Sequence, residues 1–110
     1  MLFTKDQTDA LYSAVKKWEG ILRGNIDNGV QDCECCKRWI SVGCKGCPIF
    51  QYSKNVLCNN TPYYGWVLHH DDMHPERAYA CLCGDCLTLA KKELAFLKNL
   101  HRLTILLRRF

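Results

Sequence analysis

Nine cysteines in a chain of 110 residues are the first chemistry this sequence offers. Four of them read Cys33-x2-Cys36-x7-Cys44-x2-Cys47. Two residues between cysteines let both sulfurs turn toward one point about 2.3 Å away, while the amides between them donate to the thiolates. Two such knuckles complete a tetrahedral zinc site, and Gly43 and Gly46 permit the backbone angles that a tight knuckle needs. A second group comprises Cys58, Cys81, Cys83 and Cys86, with His69, His70 and His74 nearby. Here Cys83 and Cys86 form another knuckle at a helix start, where thiolates are favoured. The expectation is one or two zinc ions on these eight cysteines, with their grouping open. An iron–sulfur cluster uses the same four-thiolate chemistry and stays open as an alternative cofactor. Cys35 reads as a spare thiol. Because the cysteine count is odd, intramolecular disulfides would leave at least one thiol over.

Two catalytic patterns come close to fitting. His74-Pro75-Glu76 followed by Cys83-x2-Cys86 has the ligand types of the zinc deaminases, but six residues between Glu76 and Cys83 leave no room for that fold. The Cys44/Cys47 knuckle, Leu68-His69-His70-Asp71-Asp72, Arg77 and Cys83-x2-Cys86 are together similar to the zinc-stapled His-Me finger (HNH) nucleases. That resemblance implies His70 as the base, with Asp71 or Asp72 near a divalent metal. Leu87 stands where that family usually places a further metal ligand. The expectation is a non-enzyme, with nuclease activity as the catalytic alternative.

The elements that must position these residues are helical at both ends. Thr4 and Gln7 fit a capping box at the head of a helix from about Lys5 to Arg23. Leu11, Ala14, Val15, Trp18, Ile21 and Leu22 lie on one stripe, with Lys16, Lys17 and Glu19 facing away. From Asp32 to Tyr64 periodicity disappears, and the segment needs cross-links to order it as short strands or knuckles. His74-Pro75-Glu76 suits a helix start, Asp85 a restart, and Cys86 to about Leu107 a long helix with two apolar faces. The fold expected is a single small α-rich, zinc-stapled domain over residues 1–110, with an N-terminal helix, central cysteine knuckles and a long C-terminal helix.

Charge must be corrected for the thiolates. The formal +4 falls to about +1 with one four-thiolate site and one site of three thiolates and a histidine. That weakens the case for a polyanionic partner, though Lys37-Arg38-Trp39 and the basic stretch after Lys91 keep nucleic acid open. No run approaches the roughly 18 apolar residues needed to span a bilayer, and no signal peptide is visible. Cytoplasmic location, with reduced thiols, is expected.

Cys33-x2-Cys36, Cys44-x2-Cys47-Pro48-Ile49, Cys58-x2-Thr61-Pro62-Tyr63-Tyr64-x-Trp66 and Glu93-Leu94-x-Phe96-Leu97-x-x-Leu100 occur in this order. Together they resemble a family of small uncharacterised cysteine-rich proteins of phages and prophages. The resemblance implies a phage accessory protein acting in the cytoplasm of a bacterial host, and it brings no activity with it. Leu103-Thr104-Ile105-Leu106-Leu107 is more apolar than one helix face can bury, so a host protein or a second copy through the C-terminal helix is the expected partner. Inhibition or redirection of a host defence or transcription complex is the function expected.

Overall fold

The computed structural model describes residues 2–55, 58–74 and 83–108. Helix α1 spans Lys5–Leu22. Its start is the expected capping box: the Gln7 amide donates to Thr4 Oγ1 at 3.2 Å, and the Thr4 amide to Gln7 Oε1 at 2.8 Å. Ala10, Leu11, Ala14, Val15, Trp18 and Ile21 form its buried face.

The cysteine-rich centre winds into short helices where the sequence led us to expect strands or knuckles. A 3-10 turn at Gly29–Asp32 leads into α2 at Glu34–Trp39, a second turn at Ile40–Val42, and α3 at Pro48–Ser53. The knuckle between α2 and α3 is left-handed at Gly43 (φ 66°), Cys44 (φ 65°) and Gly46 (φ 95°). A Cβ at Gly46 would sit 2.6 Å from Trp39 Nε1, so both the backbone angle and the packing require glycine there. Gln7 ties this region to α1, donating to the Gly46 carbonyl and to Gln51 Oε1, each at 2.8 Å.

Helix α4 covers Pro62–Met73 and ends at His74. The expected helix start at His74-Pro75-Glu76 runs into residues 75–82, which also include Arg77 and Cys81 and lie outside the described residues. Pro62 at the first turn explains where α4 begins, since proline lacks the amide that a helix start cannot use. Helix α5 runs from Gly84 to Leu106 and is capped by Cys83, where Asp85 was expected to cap. Its buried line is Cys86, Ala90, Glu93, Leu97, Leu100 and Thr104, alternating four and three residues apart. Flanking Leu89, Leu94, Phe96 and Leu103 are partly buried against the core. Helices α1 and α5 lie antiparallel. The Phe3 amide bonds the Leu107 carbonyl at 2.8 Å at one end, and the Tyr12 and His101 rings meet at 5.9 Å further in.

Lys17 overturns its expected outward orientation. Its side chain is 11% exposed and bonds Asp27 Oδ1 at 2.8 Å and Asp32 Oδ1 at 2.7 Å, because the turn after α1 folds both carboxylates back over it. Asp27 also accepts the Gly29 amide at 2.8 Å and the Trp66 indole at 3.0 Å. Burial pulls the Lys17 pKa down, but the two carboxylates outweigh it and hold the ammonium above its ordinary value.

Glu93 sits on the buried line of α5, and its Oε1 has no hydrogen-bond partner among the described residues. It borders an apolar cavity of about 360 Å³ whose walls include Ala14, Trp18, Tyr63, Val67 and Leu97. Burial, with Cys33 alongside, raises the carboxyl to about 8, so it is mostly protonated at neutral pH.

Two predictions follow from these buried charges. Lys17→Met leaves Asp27 buried and uncompensated, and urea denaturation should show a loss of about 3–5 kcal/mol, against under about 0.5 kcal/mol for exposed Lys16→Met. The Lys17 contribution is intact below its unfolded value of 10.5 and is lost only as pH climbs through its raised folded value. Glu93 acts in the same direction but in a lower pH window. The unfolded chain sheds the Glu93 proton near 4.5 while the fold keeps it to about 8, so this group lowers stability progressively across that window. Glu93→Gln should therefore gain on the parent as pH rises through the window, by roughly 2–4 kcal/mol at its upper end.

Candidate metal centre

The end of α4 and the start of α5 bring four ligand side chains together. His69 belongs to the last turn of α4, His74 follows it, Cys83 caps α5, and Cys86 lies in the first turn of α5. Their ligand atoms all lie within 4.8 Å of one another, and among the described residues no other group of histidines, cysteines and acids converges in this way.

The three distances from Cys83 are close to the edges of a metal tetrahedron. Cys83 Sγ stands 3.7 Å from His69 Nε2, 3.5 Å from His74 Nε2 and 3.3 Å from Cys86 Sγ. Zinc–sulfur bonds of about 2.3 Å and zinc–nitrogen bonds of about 2.0–2.1 Å give ligand-to-ligand edges of roughly 3.3–3.8 Å. Two thiolates and two neutral imidazoles also suit zinc by type, and they cancel its charge. The site can therefore hold a divalent metal ion. Its ligand set is closed by protein, which is the pattern of a structural ion and not of a hydrolytic one.

The electrostatics prepare Cys83 for that role. The Cys86 amide, the His69 ring, the Cys86 thiol and the His74 ring hold the Cys83 thiol down at about 5, in descending order of effect. It is a thiolate at neutral pH, the form that binds metal. The Cys86 amide lies 3.5 Å from the sulfur, so the fold of the helix start supplies the stabilising donor.

His70 adjoins this group and is 1% exposed. Its Nδ1 lies 2.9 Å from the Trp66 carbonyl, an acceptor, so Nδ1 donates there, and Nε2 faces Cys86 Sγ at 3.6 Å. The ring packs against Trp66, 4.1 Å between centroids.

The structure divides the cysteines named from sequence, whose grouping was open, between two places. Cys83 and Cys86 join the histidines, and Cys81 lies outside the described residues. Cys58, which sequence placed with them, instead lines a small void with Cys33, Cys36, Cys44 and Cys47, and Cys35 lines it too. These sulfurs share a wall without converging on one point. The sequence left open whether His69, His70 or His74 is a ligand; the structure brings His69 and His74 to Cys83 and Cys86. Cys35, read as a spare thiol, is 1% exposed.

No family model, no curated protein and no solved structure matches this chain.

His74→Ala and Cys83→Ser should each lower the metal content of zinc-loaded protein by one ion per chain when measured by elemental analysis after dialysis. Acidification should release that same ion from the parent, because its thiolate and imidazole ligands must be free of protons to bind. Unchanged metal content in both variants would remove this site from the protein.

Proposed function

We propose that the protein is a zinc-stapled helical module that works by binding a protein of a bacterial host. The observation that carries this reading is the end of α5. Ile105 is 53% exposed and Leu106 is 73% exposed, and Leu2, 51% exposed, belongs to the same end of the molecule, where Phe3 pairs with Leu107 and Arg108. Apolar side chains gathered at one end suit the centre of a protein interface. The closed ligand set of the metal group and the burial of His70 support a scaffold in preference to a nuclease. The phage resemblance gives the partner its setting, a defence or transcription complex that the module inhibits or redirects.

A second reading, nucleic-acid binding, has its own observation. Lys91, Lys98 and Arg102 recur at helical spacing along one exposed face of α5, and no ion pair engages them among the described residues. The patch foreseen at Lys37-Arg38-Trp39 supports it less. Arg38 bonds Glu34 at 2.9 Å, and Trp39 is turned onto Gly46, so no free stacking face accompanies Lys37.

A tagged copy expressed in bacteria separates these readings. The parent should retain one protein stoichiometrically, Leu106→Glu should lose it, and Lys91→Glu/Lys98→Glu/Arg102→Glu should keep it. Loss of retention on DNA or RNA in the triple charge variant, with no protein captured by the parent, would replace the first reading with the second. Self-association abolished by Leu106→Glu would identify a second copy as the occupant of that end.

A further inference from the structure

Glu93 places a carboxyl on the wall of the apolar cavity shared by α1, α4 and α5. The residue is 4% exposed, and its Oε1 finds no hydrogen-bond partner among the described residues. A buried polar atom left without a partner is costly and rare, so its presence marks a place where a donor from outside belongs. The space beside it suits an organic molecule. At about 360 Å³ it falls in the range of small-molecule sites. It is also more than twice the roughly 150 Å³ that accommodates benzene in an engineered protein core.

The walls decide what kind of molecule fits. Trp18 and Tyr63, which meet edge to face at 5.9 Å, supply aromatic surface, and Ala14, Ile49, Val67 and Leu97 supply aliphatic surface. Such a lining takes an apolar body with a ring or a short chain. Val30, Asn59 and Tyr64 line the same cavity and are exposed, so it is reached from solvent on their side. Charge selects the polar end of the ligand. Lys17 borders the cavity, but Asp27 and Asp32 already hold its ammonium at 2.8 and 2.7 Å. Two carboxylates against one ammonium leave a surplus negative charge beside the space. An anion entering here would meet that surplus with no unengaged cation on the described wall. An ammonium would be drawn by the surplus, by the Glu93 carboxyl and by the aromatic rings.

We propose that this cavity binds a small hydrophobic amine, an aryl- or alkylammonium whose apolar body packs against Trp18 and Leu97 and whose ammonium donates to Glu93 Oε1. Burial keeps the carboxyl protonated at neutral pH in the free protein. The incoming ammonium takes the place of that proton, which passes to solvent, and the pair that forms is neutral. The site uses none of the four side chains of the metal centre. It is also independent of the reading of the exposed end of α5, which lies several turns beyond Glu93.

Isothermal titration calorimetry of the full chain under reducing conditions tests it with 2-phenylethylamine. The uncharged and anionic counterparts of the same ring are 2-phenylethanol and 3-phenylpropionate. A single molecule of the amine should bind per chain, the alcohol should bind about tenfold or more weakly, and the carboxylate should not bind. Glu93→Gln should weaken the amine by about tenfold or more while leaving the alcohol unchanged, a difference that a purely structural role for Glu93 would not produce. Val67→Trp, which fills the cavity from α4, should abolish binding of both. Should Glu93→Gln fail to fold, the order of amine, alcohol and carboxylate on the parent decides. No binding of the amine at millimolar concentration, equal affinity for the three compounds, or undiminished amine binding in Glu93→Gln would overturn the proposal.

Discussion

Asp27 is the point from which the rest of the arrangement takes its geometry. Its buried carboxylate has three donors around it: the Lys17 ammonium from α1, the Gly29 amide from the turn and the Trp66 indole from α4. A buried anion tolerates few arrangements, because each missing donor costs about 1–3 kcal/mol or more. Fixing Trp66 against Asp27 sets the rotation of α4 about its axis. One turn later His70 stacks on Trp66, and His69 is thereby aimed at Cys83. A polar node at the heart of the fold thus sets the direction of a metal ligand one helical turn away. Trp18 completes the connection, meeting Trp66 edge-on at 5.1 Å.

Cysteine has a second task here, that of beginning helices. Cys33, Cys47 and Cys83 occupy the N-cap positions of α2, α3 and α5. At Cys83 the sulfur accepts the Cys86 amide from the first turn, the task that serine or aspartate usually performs at such a position. A thiolate that both caps a helix and binds an ion links the two events, since the helix start orients the sulfur and the ion fixes it. Helices of six residues, such as α2 and α3, are too short to form alone. Their order depends on what joins their ends.

How far the sequence revealed this structure varies with the kind of signal. Helix α1 was legible because Leu11, Ala14, Val15, Trp18 and Ile21 repeat at helical spacing behind a capping box. Helix α4 was not, because only Trp66 and His70 of its side chains are fully buried and its remaining apolar residues point in several directions, leaving no stripe to read. The knuckle cysteines were legible as metal-binding types, but their grouping was not. Cys58 reaches the central void only through the course of the chain after α3, and the histidines meet Cys83 only because α4 ends where it does. Lys17 and Glu93 could not have been placed from periodicity. Lys17 is covered by carboxylates from a later turn, and Glu93 lies on a buried line whose other members are apolar or small. A local pattern cannot report the partners that tertiary structure supplies.

The pairing of Phe3 with Leu107 and Arg108 places the two described ends of the chain side by side. A short linker could therefore join them, and the chain could be reopened at the exposed turn around Gly24 and Asn25, between α1 and the Asp27 node. In such a rearranged chain α1 would follow α5 directly, as the second arm of a helical hairpin. The cysteine-bearing centre would then precede both arms, and its order of synthesis relative to α1 would be inverted.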